Sequence, residues 1–287
     1  MMELLSPAGS RAALEAAVQA GADAVYVPLL NEKRGEATVA GQLSSTVEQA
    51  GYPNKCITML PTIAHDTEPG SREDRFDFDP WDRVREGKPV YVENFGALLE
   101  CASRGASPEV GTHLPVTNPQ ALRTVSAAGA TRVWLSPELA LGQIDDILRD
   151  KPISAGLTVM GAAELMVTEH CLLMSQGPCN QDCSICPRRK SPHYLKDRKG
   201  YEMPVITDRC GRSHLYNAVQ LDLTHLMPDL LRAGLDAFMI DATLMTVDET
   251  TKAVKRVQRA VELAKRSGDA LPKTQGTSTG HIFRGVE

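Results

Sequence analysis

The sequence lacks any segment that is long and apolar enough to cross a membrane. No run reaches the roughly 18 consecutive apolar residues that a transmembrane helix requires. The opening MMELLSPAGS has neither the basic region nor the apolar core that signal peptides carry. These absences lead us to expect a cytoplasmic protein with no membrane partner, in which thiols stay reduced and a disulfide framework is disfavoured.

Several motifs of catalysis and nucleotide binding are also missing. The chain has no GxGxxG fingerprint and no P-loop, which argues against a nucleotide-binding doubly wound fold. It has no GxSxG and no HExxH, so neither a serine hydrolase nor a zinc protease is indicated. The formal net charge of −5 argues against a general nucleic-acid coat.

What the chain does have is a crowd of cysteines. Five of its seven fall in the stretch 171–210, namely Cys171, Cys179, Cys183, Cys186 and Cys210. Thiolates are soft ligands that suit zinc or an iron–sulfur cluster. Clustered cysteines in a reducing compartment more often bind metal or do redox work than form disulfides. The other two, Cys56 and Cys101, lie in apolar contexts and are predicted to be buried small hydrophobes.

Strand and helix patterns alternate along the chain. The runs AVYV, CITML, PVYVE and RVWLS show little polar alternation, as in parallel strands that are buried on both faces. Counting the stretch 156–167 once gives eight strands, which predicts a TIM-barrel-like (β/α)8 fold; a doubly wound open sheet is the alternative. We expect a single domain over 1–287, with a cysteine-rich, metal-binding insert at about 171–214 between the last two strands.

Polar residues follow several of the predicted strands, including one predicted at 110–113. Active sites of such barrels lie at the C-terminal ends of the strands. The predicted catalytic candidates are therefore Asn94, His113, Asn118, Glu138 and Glu164. Asp241, at the end of the AFMID strand, is a further candidate for the same pocket.

A basic segment lies beside the cysteines. The segment between Pro187 and His214 contains eight basic and three acidic residues, which gives a local net charge of +5. Such a patch attracts an anionic substrate, either RNA phosphates or a small carboxylate, although a solvated loop face is the simpler alternative. The predicted substrate-binding residues are Arg188, Arg189, Lys190 and Arg212.

Seven blocks of sequence, taken in order, resemble the peptidase U32 family, the collagenase-like peptidases. They read ELLSPAGSRAALEAAVQAGADAVY, THLPVTNPQAL, GATRVWLSPEL, ELMVTEHCLLMSQGPC, YLKDRKGYEMPV, RSHLYN and TGHIFRGV. The resemblance implies a TIM-barrel-like fold and, as in several members, a 4Fe–4S cluster. It implies an enzyme or factor for hydroxylation of RNA or an aromatic small molecule, with room for a partner subunit. A U32-type protease and a non-catalytic protein with a structural four-cysteine metal site are the alternatives.

The resemblance also implies which cysteines bind the cluster. Cys171 and Cys179 match the signature pair, and Cys210, just before RSHLYN, matches the distal ligand. The fourth ligand is Cys186 or Cys183; Cys186 is preferred because a proline follows it, as in bacterial ferredoxins. A four-thiolate zinc site is the alternative. The region between the second strand and PVYVENFGAL is shorter than in relatives, so the N-terminal half is shortened.

Overall fold

The computed structural model describes residues 2–5, 11–28, 56–63, 80–180, 182–183, 185–208 and 211–284. Its strands are β1 (Met2–Leu5), β2 (Ala24–Pro28), β3 (Cys56–Met59), β4 (Pro89–Val92), β5 (Ser107–Val110), β6 (Arg132–Leu135), β7 (Ser154–Gly161), β8 (Glu164–Thr168), β9 (His193–Lys196), β10 (Glu202–Thr207), β11 (Ser213–Tyr216), β12 (Leu221–Asp222) and β13 (Ala237–Asp241). Its helices are α1 (Arg11–Ala20), α2 (Phe95–Ser103), α3 (Pro119–Ala127), α4 (Leu141–Leu148), α5 (Met227–Arg232) and α6 (Val247–Ser267). Short 3-10 turns cover Pro80–Arg83, Leu172–Gln176, Pro187–Lys190 and Thr224–Leu226.

Eight parallel strands close into a ring. Their order is β7-β13-β1-β2-β3-β4-β5-β6, and β6 pairs back with β7 in parallel. The short β12 adds to β7 in the antiparallel direction. The predicted TIM-barrel-like fold is therefore confirmed, and the doubly wound alternative is excluded. The C-terminal ends of these eight strands form one mouth, where barrel enzymes place their chemistry.

The helices pack outside the ring, and the longest one follows its sequence signals closely. Thr246 caps α6 through a capping box with Glu249, and Gly268 ends the helix in the left-handed region at φ 74°. Its apolar face, which includes Val254 and Val257, is buried against the barrel. In the part of the chain that the structure describes, none of the helices is long and apolar enough to cross a membrane.

Three aromatic side chains fill the interior of the barrel. The ring centroid of Tyr26 lies 5.4 Å from that of Tyr91 and 5.9 Å from that of Trp134, both in edge-on geometry. Glycines make room for two of these rings. A Cβ atom on Gly111 would lie 2.4 Å from the Tyr91 ring, and one on Gly156 would lie 2.3 Å from the Trp134 ring. The interior is thus packed rather than open.

A second sheet stands beside the barrel. The stretch 156–167, predicted as one strand in part, splits into β7 and β8 at Gly161, whose φ is 122°. A Cβ atom there would lie 2.1 Å from the carbonyl oxygen of Asp241, so only glycine permits this exit from the barrel. The small sheet is antiparallel, with strand order β8-β11-β10-β9. Its strands come from the chain between β7 and β12. The part of the cysteine-rich segment that holds Cys171, Cys179, Cys183 and Cys186 connects β8 to β9.

One predicted strand is placed differently in the structure. The strand predicted at 110–113 is wrong: β5 is Ser107–Val110, and the chain turns at Gly111, whose carbonyl accepts the Leu114 N–H at 3.3 Å. His113 therefore lies in the turn after the strand. The sequence also indicates a weak helical stretch at about 38–49, which lies outside the described residues.

Candidate functional site

Alternating carboxylates and imidazoles cross the mouth of the barrel. The Nδ1 atom of His113 lies 2.9 Å from Glu93 Oε1, and its Nε2 atom lies 3.6 Å from Glu164 Oε2. Glu164 Oε1 lies 2.5 Å from His214 Nδ1, and His214 Nε2 lies 3.4 Å from Asp208 Oδ2. These five residues, Glu93, His113, Glu164, His214 and Asp208, are called the histidine–carboxylate chain below.

The histidine–carboxylate chain joins the barrel to the small sheet. Glu93 directly follows β4 and His113 follows β5, two neighbouring strands of the barrel. Glu164 begins β8 and His214 lies in β11, which pair in the small sheet. Glu93, His214 and Asp208 are each less than a tenth exposed. The small sheet therefore lies over the C-terminal mouth and completes a site that the barrel begins.

Both histidines are held in the protonated form. Burial by itself lowers the pKa of His113, but the hydrogen bond and charge of Glu93 and the charge of Glu164 outweigh it and raise the pKa to about 9. Burial likewise opposes the charge on His214, and hydrogen bonds to Asp208 and Glu164 raise its pKa to about 9. Each imidazole is therefore cationic at neutral pH.

Glu93 anchors the barrel end of the chain. Burial by itself raises the pKa of the Glu93 carboxyl, but His113, Thr62 and Tyr91 outweigh it, and the pKa falls below its ordinary value. The Thr62 hydroxyl donates to Oε2, and the Tyr91 hydroxyl donates to Oε1 at 3.1 Å. Burial and the neighbouring Glu93 charge raise the pKa of Tyr91 well above its ordinary value, so the phenol stays neutral and keeps donating.

One carboxyl group beside the histidine–carboxylate chain has a pKa near neutrality. Asp241 ends β13, and its Oδ1 accepts the N–H of Thr243 at 3.0 Å. Burial, with the nearby charges of Glu164 and Glu93, raises the pKa of Asp241 to about 7. Tyr216 is close to the same group: burial and the charges of Glu164 and Asp241 raise its pKa well above the ordinary value of a phenol. Asp241 can therefore give or take a proton at physiological pH.

The arrangement is suited to acid–base and electrostatic work rather than to nucleophilic attack. Both ring nitrogens of His113 and both of His214 face carboxylates. Among these contacts, within the described residues, neither imidazole is directed at a serine, threonine or cysteine that it could activate. The two imidazolium groups and a carboxyl with a pKa of about 7 can instead stabilise developing negative charge and exchange a proton.

The structure brings two of the five predicted catalytic residues together. His113 and Glu164 are neighbours in the histidine–carboxylate chain. Asn94 and Asn118 instead cap helices: the side-chain oxygen of Asn94 accepts the Ala97 N–H, and that of Asn118 accepts the Ala121 N–H, both at 2.8 Å. Glu138 is an exposed residue of the loop after β6.

Three residues of the histidine–carboxylate chain were not predicted as catalytic. Glu93 is the last residue of the PVYVE strand block. A charged residue directly after an apolar run could have indicated a functional residue at the strand end, and the structure shows that it is buried. His214 lies in RSHLYN, a block quoted for the family resemblance, yet sequence alone does not show that it faces the barrel. Asp208 lies in the hairpin between β10 and β11 and carries no signal of its own.

The described cysteines of the insert lie close to one another. Burial raises the pKa of the Cys183 thiol, and the charges of Cys171 and Cys179 and, more weakly, Cys186 raise it further. Among the described residues, no three His, Cys, Asp or Glu side chains converge as ligands of one metal ion. Cys210 lies outside the described residues. The soft donor set fits a four-thiolate site, and the ligand assignment stays a prediction.

Residues 171–190 are called the cysteine segment below. Two of its arginines hold its backbone in place. Arg188 donates from Nη1 to the carbonyls of Leu173 and Gly177, at 3.3 and 3.2 Å, and from Nη2 to that of Pro178 at 3.1 Å. Arg189 donates to the carbonyls of Thr207 and Cys183, both at 2.8 Å. The planar guanidinium fork can serve several acceptors at once. Two of the three predicted substrate-binding arginines, Arg188 and Arg189, are thus engaged within the insert.

The remaining basic residues divide between the interior and the surface. Arg212 is 1% exposed, and its Nε donates to Glu169 at 2.5 Å. Lys190 ends a 3-10 turn, and its side chain lies outside the described part of the structure. Arg198 and Lys199 are exposed in the turn between β9 and β10. The three predicted arginines are thus engaged within the protein, and the substrate-binding role of the four residues stays a prediction.

Opposite faces of the small sheet serve the two groups of side chains. Adjacent residues of a strand point to opposite faces. His214 points to the barrel and contacts Glu164, while its neighbour Ser213 accepts the Leu172 N–H of the cysteine segment at 2.9 Å. His193, which pairs in register with Val205, contacts Gln176 of the same segment at 3.1 Å. One face thus meets the histidine–carboxylate chain and the other meets the cysteine segment.

Comparison with known proteins identifies the family. A model of peptidase family U32 matches residues 9–278. The chain belongs to peptidase family U32. The expectation from the sequence blocks is thereby confirmed, and the matched range includes all five members of the histidine–carboxylate chain and all five cysteines of the insert.

Three similar proteins carry functional names. The chain is 22% identical over 298 residues to the 23S rRNA 5-hydroxycytidine C2501 synthase of Escherichia coli, covering 98% of this chain and 42% of that protein. It is 27% identical to an uncharacterized protease of Methanocaldococcus jannaschii, covering 91% of this chain and 65% of the relative. It is 24% identical to tRNA hydroxylation protein P2 of Bacillus subtilis, covering 93% and 88%. The chain thus spans less than two thirds of the first two relatives.

Proposed function

We propose that this U32 protein acts in the hydroxylation of an RNA base, with the histidine–carboxylate chain as its active site and an iron–sulfur cluster on the cysteine segment. The observation that carries the proposal is the pairing of two imidazolium groups, the half-buried His113 and the buried His214, with Glu164 at the barrel mouth. Two of the three relatives are named for hydroxylation of ribosomal or transfer RNA. The names support RNA over a small carboxylate or aromatic molecule as the substrate.

The residues of the mouth would handle charge and protons. Hydroxylation replaces a ring C–H by C–OH and is a two-electron oxidation. An oxygen-donating co-substrate, either a peroxide or dioxygen with two electrons from a reductant, would supply the oxygen atom, its second oxygen would leave as water, and the ring carbon would lose its proton. The cationic His113 and His214 would stabilise an oxygen that gains negative charge, because their carboxylate partners already orient them. Asp241, with a pKa of about 7, would take the ring proton and return it to solvent.

The cysteine segment would hold the redox group. Cys171, Cys179 and Cys210, with Cys186 or Cys183, supply the thiolates that a 4Fe–4S cluster requires; a zinc site is the alternative. A bound cluster would supply single-electron transfer. Cys210, the predicted distal ligand, would complete the set, since among the described residues no three potential ligands converge on one metal ion. Arg188 and Arg189 would keep the loops that carry Cys179 and Cys183 in place.

The protease alternative is less well supported by the site. A protease needs an activated nucleophile or a hydrolytic metal. The imidazoles of the chain are protonated and flanked by carboxylates, so they are poor bases for a nucleophile. A closed four-thiolate site suits electron transfer better than water activation.

Nucleoside mass spectrometry of a deletion strain tests the proposal. We expect one hydroxylated nucleoside to disappear from ribosomal or transfer RNA and to return with the wild-type gene. An unchanged nucleoside profile, together with cleavage of gelatin or casein by the purified holoprotein, would replace the proposal with the protease function. The Cys171→Ala protein should lose visible absorbance and iron after anaerobic purification, and full iron content in that variant would refute the cluster assignment.

A further inference from the structure

An exposed apolar shelf continues the sheet face that carries His214. The shelf consists of Tyr194, Pro204 and Ile206. Resting on the RNA-directed function above, we infer that it stacks an unpaired nucleobase next to the one presented to the barrel mouth. The shelf would thus position the RNA strand, while the histidine–carboxylate chain would meet the reacting base.

The strand registers put these residues on the same face as His214. Ile206 pairs directly with His214 across β10 and β11, and Tyr194 pairs with Pro204 across β9 and β10. Directly paired residues share a face, and so do residues two apart in one strand, such as Pro204 and Ile206. Neighbouring strands are about 4.8 Å apart, so Tyr194 lies two strands, about 10 Å, to the side of His214.

The shelf is open where the site is closed. His214 is 7% exposed, whereas Ile206 is 38% and Tyr194 is 56% exposed. Exposed apolar residues that adjoin one another beside a functional site can form a binding surface, whereas a single exposed residue carries no such meaning. A tyrosine ring next to proline and isoleucine offers a flat apolar surface, to which the π-face of any base can stack regardless of sequence.

Positive charge lies beside the shelf at the end of the same hairpin. Arg198 and Lys199 are exposed in the turn that joins β9 to β10. The carboxylate of Asp197 fixes this turn, because its Oδ1 accepts the N–H groups of Lys199 at 2.8 Å and Tyr201 at 2.9 Å. Flat apolar contact plus adjacent cations is the combination that single-stranded nucleic acid recognises through bases and phosphates. The charge therefore favours RNA over an apolar protein partner.

Binding of an RNA hairpin with an unpaired loop tests the shelf. Fluorescence anisotropy of the holoprotein should show that Tyr194→Ala weakens loop RNA binding about tenfold, the usual cost of one lost stacking contact. Tyr194→Phe should restore the affinity, since the ring alone stacks. The matched control is Leu195→Ala: Leu195 is 39% exposed on the opposite face of the same strand and should bind like wild type.

A salt series separates stacking from charge. Tyr194→Ala should lower the affinity at every salt concentration without changing the salt slope, whereas Arg198→Ala with Lys199→Ala should make the slope shallower. Equal loop affinity for wild type and Tyr194→Ala, or equal losses in Tyr194→Ala and Leu195→Ala, would overturn the shelf while leaving the proposed function intact. Absence of any RNA binding by the wild-type protein would refute the RNA substrate, and the shelf with it.

Discussion

The two faces of the small sheet hold their functional groups in different ways. On the barrel face, side chain meets side chain over long separations in sequence: His214 and Glu164 are 50 residues apart. On the other face, Arg188 holds backbone carbonyls only 10 to 15 residues away. Strand pairing in the barrel and in the small sheet therefore builds the first group, and residues close in sequence make the arginine–carbonyl contacts of the second. If this is correct, damage to one face leaves the other working.

The largest expected effect comes from Glu164→Gln. This change removes the carboxylate that two protonated imidazoles share, and leaves the half-buried His113 and the buried His214 with one carboxylate partner each. We expect the free energy of unfolding to fall by roughly 3 kcal/mol, and hydroxylation to be lost. Iron content should stay at the wild-type level, because the cysteine segment lies on the other face. Urea unfolding and iron analysis of the same preparation measure both.

The matched control for that change is Glu202→Gln. Glu202 pairs with Lys196 at 3.5 Å, but both side chains are well exposed. An exposed ion pair contributes less than about 1 kcal/mol, so this variant should unfold almost like wild type. Loss of iron in Glu164→Gln but not in Glu202→Gln would break the proposed independence of the two faces.

Arg188→Ala probes the cysteine face. The three carbonyls of Leu173, Gly177 and Pro178 lose a charged donor, which should lower the free energy of unfolding by about 2 kcal/mol. Iron content should fall as well, and Arg188→Lys should recover it only in part, because a single ammonium lacks the fork. Arg198→Ala, at an exposed turn, is the control. Full iron content in Arg188→Ala would contradict a positioning role.

The pH dependence of stability probes the barrel face alone. The native state holds protons on His113 and His214 up to about pH 9, whereas the unfolded chain releases them near 6.5. This stabilisation is complete below pH 6.5 and is lost as the pH rises towards 9. Asp241, whose pKa is raised from 3.8 to about 7, acts in the same direction at lower pH.

Urea unfolding at pH 6, 7.5 and 9 measures this loss. We expect a decrease of roughly 1–3 kcal/mol in the free energy of unfolding across the series. Replacing His113 by Gln should flatten the curve, while Arg188→Ala should keep its shape. Stability that increases with pH over this range would show that the histidines are not protonated in the native state.

The smallest expected effect comes from Ser213→Ala, at the point where the two faces are closest. The change removes the acceptor of the Leu172 N–H and the partner of the Thr207 hydroxyl. A loss of about 1 kcal/mol is expected. Iron content should fall slightly, and the pH dependence should not change. A changed pH profile would show that the faces communicate through β11.

The barrel was predictable from the sequence because its signals are local. Buried apolar runs, helix caps such as Thr246 with Glu249, and the glycine that ends α6 act over a few residues, and the structure has them where the sequence predicts. The small sheet was not predicted as a sheet. Its strands, such as HYLK and EMPVIT, alternate polar and apolar residues too irregularly to reveal which strand pairs with which.

The candidate site was predictable only in part for the same reason. His113 and Glu164 were found from their positions near strand ends, but Asn94 and Asn118 matched that rule equally well and turned out to be caps. Glu93 meets His113 because β4 and β5 pair in the barrel, and His214 and Asp208 reach the same mouth only because the small sheet folds over it. Nothing local distinguishes a strand-end residue that faces such a sheet from one that begins a helix.

Complementation of the deletion strain tests the central claim most directly. Strains that carry wild type, His113→Gln or Glu138→Gln are compared by nucleoside mass spectrometry, with protein levels checked by immunoblotting. Glu138 is the matched control, since it is an exposed carboxylate of the same rim outside the histidine–carboxylate chain. The account predicts that His113→Gln fails to restore the hydroxylated nucleoside and that Glu138→Gln restores it. Full restoration by His113→Gln would contradict the assignment of the chain as the active site.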